Sequence, residues 1–366
     1  MLGKSKFSKH PLAHWALEEL EWLEGCPLCK SMDAEVLHKN LVDHIFEAAG
    51  GKWQLQSCRA CECAYLNPRP SRKTIGRAYS TYYTHAPIEA KEQAQSGVRW
   101  LRRAIANGQR NSLFGTNLRP SLGYLSKGVA LISRSFRNAM CTEAAGLVGV
   151  RPKNPGLSTI LDIGCGNGLT LSRARDAGWR VKGIEPDPSA AALATAKGIE
   201  TVASDLFELP LSFNASFERI LLNHVIEHIH DPLAALRRCK DLLMPGGELW
   251  LETPNLASVG HQEFGADWRG LEPPRHLVIF EINSLQNILI KAGFRKINVS
   301  KPRDVVNYMY ERSSYIKERR IAQLKPDFLS EHSESSPSVQ ELVKRADRLI
   351  AREPNRSEFI TLTASL

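Results

Sequence analysis

The chain has 366 residues, 43% of them hydrophobic, and its 48 Lys and Arg outnumber 39 Asp and Glu. This length suits one large domain with a smaller one, and the composition is that of a globular protein. No apolar stretch of about 18 residues is present, which excludes a membrane-spanning helix. The first 25 residues lack a continuous apolar run, so we expect no signal peptide and a cytoplasmic protein.

The N-terminal part of the chain is predicted to hold a metal. Residues 1–25 predict a short amphipathic helix, after which come two C-x-x-C pairs: Cys26 with Cys29, and Cys58 with Cys61. In a cytoplasmic protein such pairs indicate a metal site rather than disulfides, and four thiolates fill the tetrahedral shell of zinc. Residues 26–70 therefore predict a zinc ribbon with a structural zinc. A redox role for the two pairs is the alternative.

Three further side chains in this region bear on the metal site. Cys63 could replace Cys61 as a ligand, or stay a reduced and half-buried thiol. His38 and His44 could also substitute as ligands, although a surface helix is the simpler interpretation of both.

Residues 71–150 are predicted to form a helical, basic connecting region. Thr74 to Tyr83 predicts a helix, and residues 93–142 contain no Asp or Glu but eight Lys and Arg. Within this acid-free segment, Leu122 to Met140 has apolar residues at helical spacing. Such a helix could pack on the neighbouring domain and leave its basic face in solvent. It could instead lie on an anionic membrane surface or lipid-linked substrate, or bind nucleic acid.

The run LDIGCGNG, from Leu161 to Gly168, is the most informative motif. It follows a predicted strand, Thr159 to Ile163, and precedes a predicted helix. Glycines in the turn leave room for a ligand against the backbone, and the helix start directs free N–H groups at a polar or anionic group. The next strand ends at Glu185, where a carboxylate can accept hydrogen bonds from ribose hydroxyls.

A Pro- and Gly-containing linker at 151–156 precedes alternating strands and helices. This alternation predicts an α/β domain over residues 151–366, with a mainly parallel sheet and helices on both faces. A charged helical stretch at about 302–356 predicts an insertion, and its 330–338 segment predicts a flexible loop. Glu358 to Thr363 predicts the last strand.

Five blocks resemble, in order, the class I S-adenosylmethionine (SAM)-dependent methyltransferases. They are LDIGCGNG, GIEPD at 183–187, ASDL at 203–206, LLNHVIEHIHDP at 221–232 and LMPGGELWLETPN at 243–255. The resemblance covers about residues 157–300 and the last strand. It implies a Rossmann-like sheet of seven strands in which the last strand lies antiparallel between the fifth and the sixth.

The resemblance also implies that SAM is the cofactor and assigns residues to its parts. The three glycines would contact the methionine moiety, Glu185 the ribose, and a pair after the third strand the adenine. Asp162 would stabilise the turn or the cofactor's amino group. The implied cofactor-binding residues are Asp162, Gly164, Gly166, Gly168, Glu185, Asp205, Leu206 and Asn223.

Methyl transfer to a hydroxyl requires a base for the hydroxyl proton. The connector at 264–277, which follows the fifth strand where acceptor-binding loops of this fold lie, is dense in polar and aromatic groups. We predict His276 as the base, with Arg275 and Trp268 shaping the acceptor pocket. Alternatively, His276 only holds the loop through a backbone carbonyl. His228 is a further candidate for the catalytic site, unless it belongs to a local cap network.

A second resemblance concerns the acceptor. The C-x-x-C pairs, YLNPRPS at 65–71 and the W-x-G…P-R-H-L element resemble a group of bacterial methyltransferases that often serve polysaccharide or other glycoconjugate pathways. It implies O-methylation of a sugar or glycoconjugate hydroxyl. An RNA methyltransferase, a sugar C-methyltransferase and a non-catalytic SAM-binding scaffold remain as alternatives.

Overall fold

A computed structural model describes residues 15–80, 97–300, 303–324 and 337–366. These residues form a small N-terminal module, a helical connection and an α/β domain. The module is built from short antiparallel strands. They are β1 (Leu20–Glu21), β2 (Ala34–Leu41), β3 (Trp53–Cys58), β4 (Ala64–Leu66) and β5 (Arg69–Pro70).

The helix predicted within residues 1–25 is wrong for the part that the structure describes. Only one 3-10 turn forms, at Leu17–Glu19. The chain then enters β1, where Leu20 and Glu21 pair with Pro70 and Arg69 of β5. This pairing commits the backbone to an extended conformation, so a helix cannot continue through it. Residues 1–14 lie outside the described chain.

The two histidines considered as alternative metal ligands do not lie on a surface helix. His38 is part of β2, which pairs antiparallel with β3, and β3 pairs antiparallel with β4. His44 lies in the turn after β2 and is buried. The less exposed residues of β2, Ala34, Leu37, His38 and Leu41, follow a helical spacing because two irregularities in the pairing with β3 interrupt the alternation of the strand.

Three helices connect the module to the α/β domain. They are α1 (Val98–Phe114), α2 (Gly123–Ile132) and α3 (Arg134–Glu143). The amphipathic helix predicted from Leu122 to Met140 is therefore two helices. Ser133 separates them, and its hydroxyl caps α3 by accepting a hydrogen bond from the N–H of Phe136 at 3.2 Å. The helix predicted from Thr74 is a 3-10 turn at Ile75–Tyr79, and its predicted end falls among residues 81–96, which the structure does not describe.

The α/β domain contains a seven-stranded sheet. Its strands are β6 (Thr159–Ile163), β7 (Arg180–Ile184), β8 (Glu200–Val202), β9 (Phe217–Asn223), β10 (Leu243–Pro254), β12 (Lys296–Val299) and β13 (Phe359–Ser365). Their order is β12-β13-β10-β9-β6-β7-β8, and β6 to β10 run parallel. The last strand, β13, is antiparallel to both β10 and β12. The predicted α/β fold, with its last strand between the fifth and sixth, is confirmed.

One strand of the α/β domain leaves this sheet and joins the N-terminal module. It is β11 (Val278–Ile279), which pairs antiparallel with β4 so that Val278 faces Tyr65 and Ile279 faces Ala64. The module therefore has a four-stranded sheet in the order β11-β4-β3-β2. Hydrogen bonds consequently tie the 264–277 connector to the cysteine-rich region.

Helices cover the seven-stranded sheet, and several begin at side-chain caps such as Asp187 and Asp231. Two long helices, which pack against one another, occupy the interval predicted as an insertion. None of the described helices is both long and apolar enough to span a bilayer. The remaining helices are α4 (Leu169–Asp176), α5 (Pro188–Ala196), α6 (Pro232–Leu242), α7 (Val259–Phe264), α8 (Ile282–Ala292), α9 (Val306–Leu324) and α10 (Val339–Arg352).

Candidate functional site

A cavity of about 1130 Å³ opens at the carboxyl ends of the parallel strands. This edge of an open α/β sheet is where ligands bind in such folds. The glycine turn after β6 and Glu185 after β7 line this cavity, and so do His228 and His276. The N-terminal module also contributes to the wall through the segment 72–79.

The glycine turn has the backbone that its sequence requires. Gly164, Gly166 and Gly168 have φ angles of +71°, +54° and +75°, in the left-handed region that favours glycine. A Cβ on Gly164 would lie 2.7 Å from Cγ2 of Val225. The turn therefore lets the backbone approach both β9 and a ligand in the cavity.

Two carboxylates stand beside this turn. Oε2 of Glu185 accepts a hydrogen bond from the N–H of Gly166 at 2.8 Å, and Oε1 accepts one from the N–H of Asp187 at 3.0 Å. These two N–H groups hold the carboxylate against the glycine turn at the cavity wall. Burial and the charge of Glu185 raise the pKa of Asp162 to about 8. A cation bound beside Asp162 would favour its ionised form.

The residues expected around adenine also reach the cavity. Oδ1 of Asp205 accepts a hydrogen bond from the N–H of Phe207 at 3.0 Å, which starts a 3-10 turn with Leu206 buried. Arg72 of the N-terminal module lies over the Phe207 ring at 5.8 Å. Asn223, at the end of β9, lines the cavity as well. All the residues predicted to bind the cofactor thus line the cavity except Gly168, where a Cβ would instead lie 2.9 Å from Ala194 of α5.

Two imidazoles form a further part of the cavity wall. The rings of His228 and His276 meet edge to face, with centroids 4.7 Å apart. Nδ1 of His228 lies 3.0 Å from the carbonyl oxygen of Arg275, and Nδ1 of His276 lies 2.7 Å from that of Gly270. A carbonyl oxygen can only accept, so each Nδ1 carries the proton and each Nε2 retains a lone pair.

The two histidines differ in burial. His276 is 4% exposed, and burial lowers its pKa to about 4. Glu227 and Glu272 have carboxylate oxygens 4.0 and 3.9 Å from its Nε2. His228 is only partly buried. The hydroxyl of Tyr79, a residue of the module, lies 3.0 Å from Nδ1 of His228.

A buried charge pair supports this wall. Nδ1 of His224 lies 3.3 Å from Oε1 of Glu227, and Nε2 lies 3.3 Å from Oε1 of Glu252. Although burial opposes its charge, these two carboxylates raise the pKa of His224 to about 9. Burial likewise opposes the charge of Glu227, but the hydrogen bond from His224 and the nearby His228 lower its pKa to about 2. The pair is therefore ionised at neutral pH.

Arg275 does not line the cavity, which corrects the expectation that it shapes the acceptor pocket. Its guanidinium is fully buried and binds both carboxylate oxygens of Asp43 in the N-terminal module, at 2.9 and 3.0 Å. It also donates to Glu272 and to the carbonyl of Ala78, each at 2.9 Å, and packs over Phe46. A buried guanidinium needs hydrogen-bond acceptors for its N–H groups. Because these acceptors come from both the N-terminal module and the α/β domain, they hold Arg275 between the two rather than in the cavity.

Trp268 is also buried away from the cavity wall, and its Nε1 donates to Glu358 at 2.8 Å. The W-x-G spacing has a steric reason, because a Cβ on Gly270 would lie 2.2 Å from the indole ring. Since the carbonyl of Gly270 holds His276, Trp268 positions that histidine indirectly.

Arg72, Tyr79 and Glu272 line the cavity and were not identified from the sequence as site residues. Tyr79 and Arg72 precede the α/β domain by many residues, so no local motif connects them with the glycine turn. Glu272 lies within the connector whose polar composition was noticed. Its ion pairs with Arg269 and Arg275 are contacts that the sequence alone does not predict.

Five cysteine sulfurs converge in the N-terminal module. Sγ of Cys26 lies 3.6 Å from Cys61, and Sγ of Cys29 lies 3.5 Å from Cys58. All four of these sulfurs lie within 4.8 Å of one another. Tetrahedral zinc with Zn–S bonds of about 2.3 Å requires sulfur separations of about 3.8 Å, so the four thiols fit this ion. The fifth sulfur, of Cys63, lies 3.5 Å from Cys26 and 3.6 Å from Cys61.

A histidine pair joins the module to the α/β domain and makes stability depend on pH. Nδ1 of His261 donates to the carbonyl of Leu256 at 2.7 Å, so its Nε2 accepts from Nε2 of His38 at 2.9 Å. Burial and the neighbouring His261 lower the pKa of His38 from 6.5 to about 4.

We expect the free energy of unfolding to fall as the pH decreases from about 6.5 to about 4. In this interval the unfolded chain takes up a proton at His38 that the folded chain does not, so stability present above pH 6.5 is lost. Urea unfolding across this pH range measures the effect. His38→Gln should reduce the slope, and an unchanged slope would contradict the assignment.

The α/β domain matches a known family. Residues 134–299 match the family model described as a methyltransferase domain. The ubiquinone biosynthesis O-methyltransferase of Xanthomonas campestris is 32% identical over 114 residues, covering 30% of this chain and 47% of that protein. The enzyme of the same description from Haemophilus ducreyi is 31% identical over 139 residues, covering 35% and 56%. The chain spans about half the length of the curated relatives it matches.

Solved structures with a similar chain course include a SAM-dependent methyltransferase from Archaeoglobus fulgidus. Its TM-score is 0.41 at 17% identity, and the match covers 66% of this chain and 99% of that one. The fold assignment rests on the strand order of the sheet, not on this likeness.

Proposed function

We propose that this protein is a SAM-dependent O-methyltransferase that acts on a small-molecule acceptor. One observation carries the proposal. The glycine turn with Glu185 and the His228–His276 pair line a single cavity. A methyl donor held at the glycine turn would therefore share that cavity with a proton acceptor at the two histidines, which we name the acceptor end. The match of residues 134–299 to a methyltransferase domain and the relatives named as O-methyltransferases support this reading.

The residues beside the glycine turn fit SAM. We propose that the carboxylate of Glu185 accepts hydrogen bonds from the ribose diol and that Asp205 and Leu206 contact the adenine. The glycine turn admits the methionine part, whose ammonium group would favour the ionised form of Asp162. When bound, SAM supplies an electrophilic methyl group.

At the acceptor end we propose His228 as the base, with His276 as a positioning residue. His228 is the less buried of the two, and its protonated Nδ1 is held by the carbonyl of Arg275. Its Nε2 can therefore take the acceptor's hydroxyl proton as the oxygen attacks the methyl group. Burial lowers the pKa of His276 to about 4, which makes that imidazole a weak proton acceptor. The carboxylate of Glu227 would stabilise the imidazolium that forms.

His228→Ala is expected to lower kcat by roughly 10²–10⁴-fold, which is the usual contribution of a positioned base. SAM binding should be unchanged, because His228 is not among the residues proposed to hold the cofactor. Methyl transfer from labelled SAM measures kcat, and calorimetry measures SAM binding.

His276→Ala provides the matched comparison, and we expect it to lower kcat less than His228→Ala does. Near wild-type turnover in a folded His228→Ala variant would remove the proposed base. A larger loss in His276→Ala would reassign the role to that residue.

For the acceptor we propose a hydroxyl of a sugar or sugar-containing molecule. The acceptor end is rich in polar groups that suit a polyhydroxylated ligand: Glu272, Arg269, His228 and Tyr79. A screen with labelled SAM against nucleotide sugars, glycan intermediates, quinols and RNA tests the class. Methylation of a quinol or of RNA alone would overturn the sugar assignment without overturning methyl transfer.

We further propose that Cys26, Cys29, Cys58 and Cys61 hold one structural zinc ion. The separations of the sulfurs support this, and four thiolates leave no position for a substrate. Cys63 would remain a buried thiol beside two of the ligands.

A further inference from the structure

Helix α2 exposes large apolar side chains and buries small ones, which is the reverse of an ordinary surface helix. Its large apolar side chains point outward: Tyr124, Leu131 and Ile132 are 95%, 82% and 87% exposed, and Leu125 is 46% exposed. The residues that it buries are small, namely Ser126 at 0% and Ala130 at 8%. Contiguous exposed apolar surface of this kind marks an interaction site more often than it occurs by chance.

The packing of α2 on α1 determines which face of α2 is exposed. A Cβ on Gly108 of α1 would lie 2.8 Å from Oγ of Ser126 and 2.9 Å from the carbonyl oxygen of Leu122. The close approach of the two helices therefore depends on small residues at their contact. The N–H of Leu122 also donates to the carbonyl of Ala104 at 3.0 Å. This bond places the start of α2 beside the Arg102–Arg103 turn of α1.

The charge around this apolar stripe is uniformly positive. Residues 93–142 contain no acidic side chain. Two of the arginines are neutralised, since Arg110 pairs with Glu143, and Arg134 pairs with Asp304. Among residues 97–142, the exposed cations that form no ion pair with the described part of the chain are Arg99, Arg102, Arg103, Arg119, Lys127 and Arg137, the last of which donates to the carbonyl of Ala130.

We propose that this surface, formed by α1 and α2, docks on an anionic lipid bilayer. The stripe of Tyr124, Leu125, Leu131 and Ile132 would enter the boundary between headgroups and acyl chains, and the cations would face lipid phosphates. Exposed apolar side chains flanked by Lys and Arg are the requirement for such binding. Its location beyond the cavity walls leaves the active site open to an acceptor presented at the membrane surface.

Charge and side-chain type favour lipid over the other occupants. A second copy of this chain would bring two positive surfaces together, which is unfavourable. A single-stranded RNA would stack its bases on aromatic rings, of which this surface exposes two, Trp100 and Tyr124. The other exposed apolar side chains of α1 and α2 are aliphatic: Val98, Leu101, Leu125, Leu131 and Ile132. An anionic bilayer satisfies both the apolar stripe and the cations.

Co-sedimentation of the full chain with vesicles tests the proposal independently of methyl transfer. Vesicles of equal parts phosphatidylcholine and phosphatidylglycerol should bind the protein, and added salt should release it. Leu131→Ser with Ile132→Ser should weaken partitioning about tenfold or more, because both side chains lose their insertion into lipid. Arg102→Glu with Arg103→Glu should weaken binding to the anionic vesicles.

The control is Leu211→Ser, which removes a leucine that is 79% exposed on the α/β domain and should leave partitioning unchanged. Circular dichroism and thermal unfolding should show that the Leu131 and Ile132 variant is folded, since both residues are exposed. The proposal is overturned if the wild type does not bind, binds phosphatidylcholine alone equally well, or is unaffected by the double substitution. Gel filtration showing a dimer that the double substitution dissociates would assign the stripe to a second copy instead.

Discussion

Glu185→Ala is expected to weaken SAM binding about a hundredfold. The carboxylate is proposed to accept hydrogen bonds from two ribose hydroxyls, and a bond to a charged group contributes about 1.5–3 kcal/mol. A net loss of about 3 kcal/mol corresponds to roughly a hundredfold in Kd. Calorimetric titration of the full chain with SAM measures this change directly.

The expected loss of SAM affinity in Glu185→Ala has a second cause. Its carboxylate also holds the N–H groups of Gly166 and Asp187, so the alanine variant loses the restraint on the glycine turn. Glu185→Gln keeps one acceptor oxygen and should therefore bind SAM with intermediate affinity. Glu200→Ala is the matched control, because Glu200 follows on the next strand but pairs with Lys182. Equal affinity of wild type and Glu185→Ala would contradict the assignment of the cavity to SAM.

The parts of the site that could be predicted from the sequence are those encoded by local spacing. Gly164, Gly166 and Gly168 adopt left-handed backbone conformations that few other residues tolerate, so the motif itself specifies the turn. Glu185 follows directly because each parallel strand of the sheet ends at the same edge. The order of strands, including the inserted β13, came with the family resemblance rather than from periodicity.

The contacts between the domains could not be predicted, because they join distant residues without a pattern. Strand β11 has two residues, too few for any period, and it pairs with a strand more than two hundred positions earlier. Arg275 was assigned to the acceptor pocket because it neighbours His276, yet its partner Asp43 lies in the N-terminal module. The apolar residues of α2 gave a correct helical period, but periodicity does not tell which face meets the protein and which meets solvent.

Removal of the proposed zinc is expected to abolish methyl transfer while SAM binding largely persists. A structural zinc site contributes about 10 kcal/mol or more of folding free energy in small zinc modules, so Cys58→Ser should unfold the ribbon. The glycine turn and Glu185 follow strands of the seven-stranded sheet, whereas the ribbon strands belong to the separate four-stranded sheet. On the same sample, metal analysis measures the zinc content, calorimetry measures SAM binding, and a transfer assay measures activity.

The path from the cysteines to the acceptor end is short and continuous. Strand β4 begins at Ala64, directly after Cys63, and pairs with β11. The N–H of Leu66 donates to the carbonyl of Leu277 at 3.0 Å, and Leu277 is the neighbour of His276. The same module supplies Tyr79, which contacts His228. Loss of the ribbon would therefore release both histidines from their positions.

Hydrogen exchange at Val278 and Ile279 should report this release, because the backbone of β11 is paired with β4. Cys141→Ser is a control for cysteine loss away from the cluster and should change neither metal content nor exchange.

Cys63→Ser separates two arrangements of the five sulfurs. Retained zinc with normal exchange would support ligation by Cys61, whereas loss of zinc would make Cys63 a ligand in its place. Full activity in zinc-free Cys58→Ser protein would show that the ribbon does not hold the acceptor end in place.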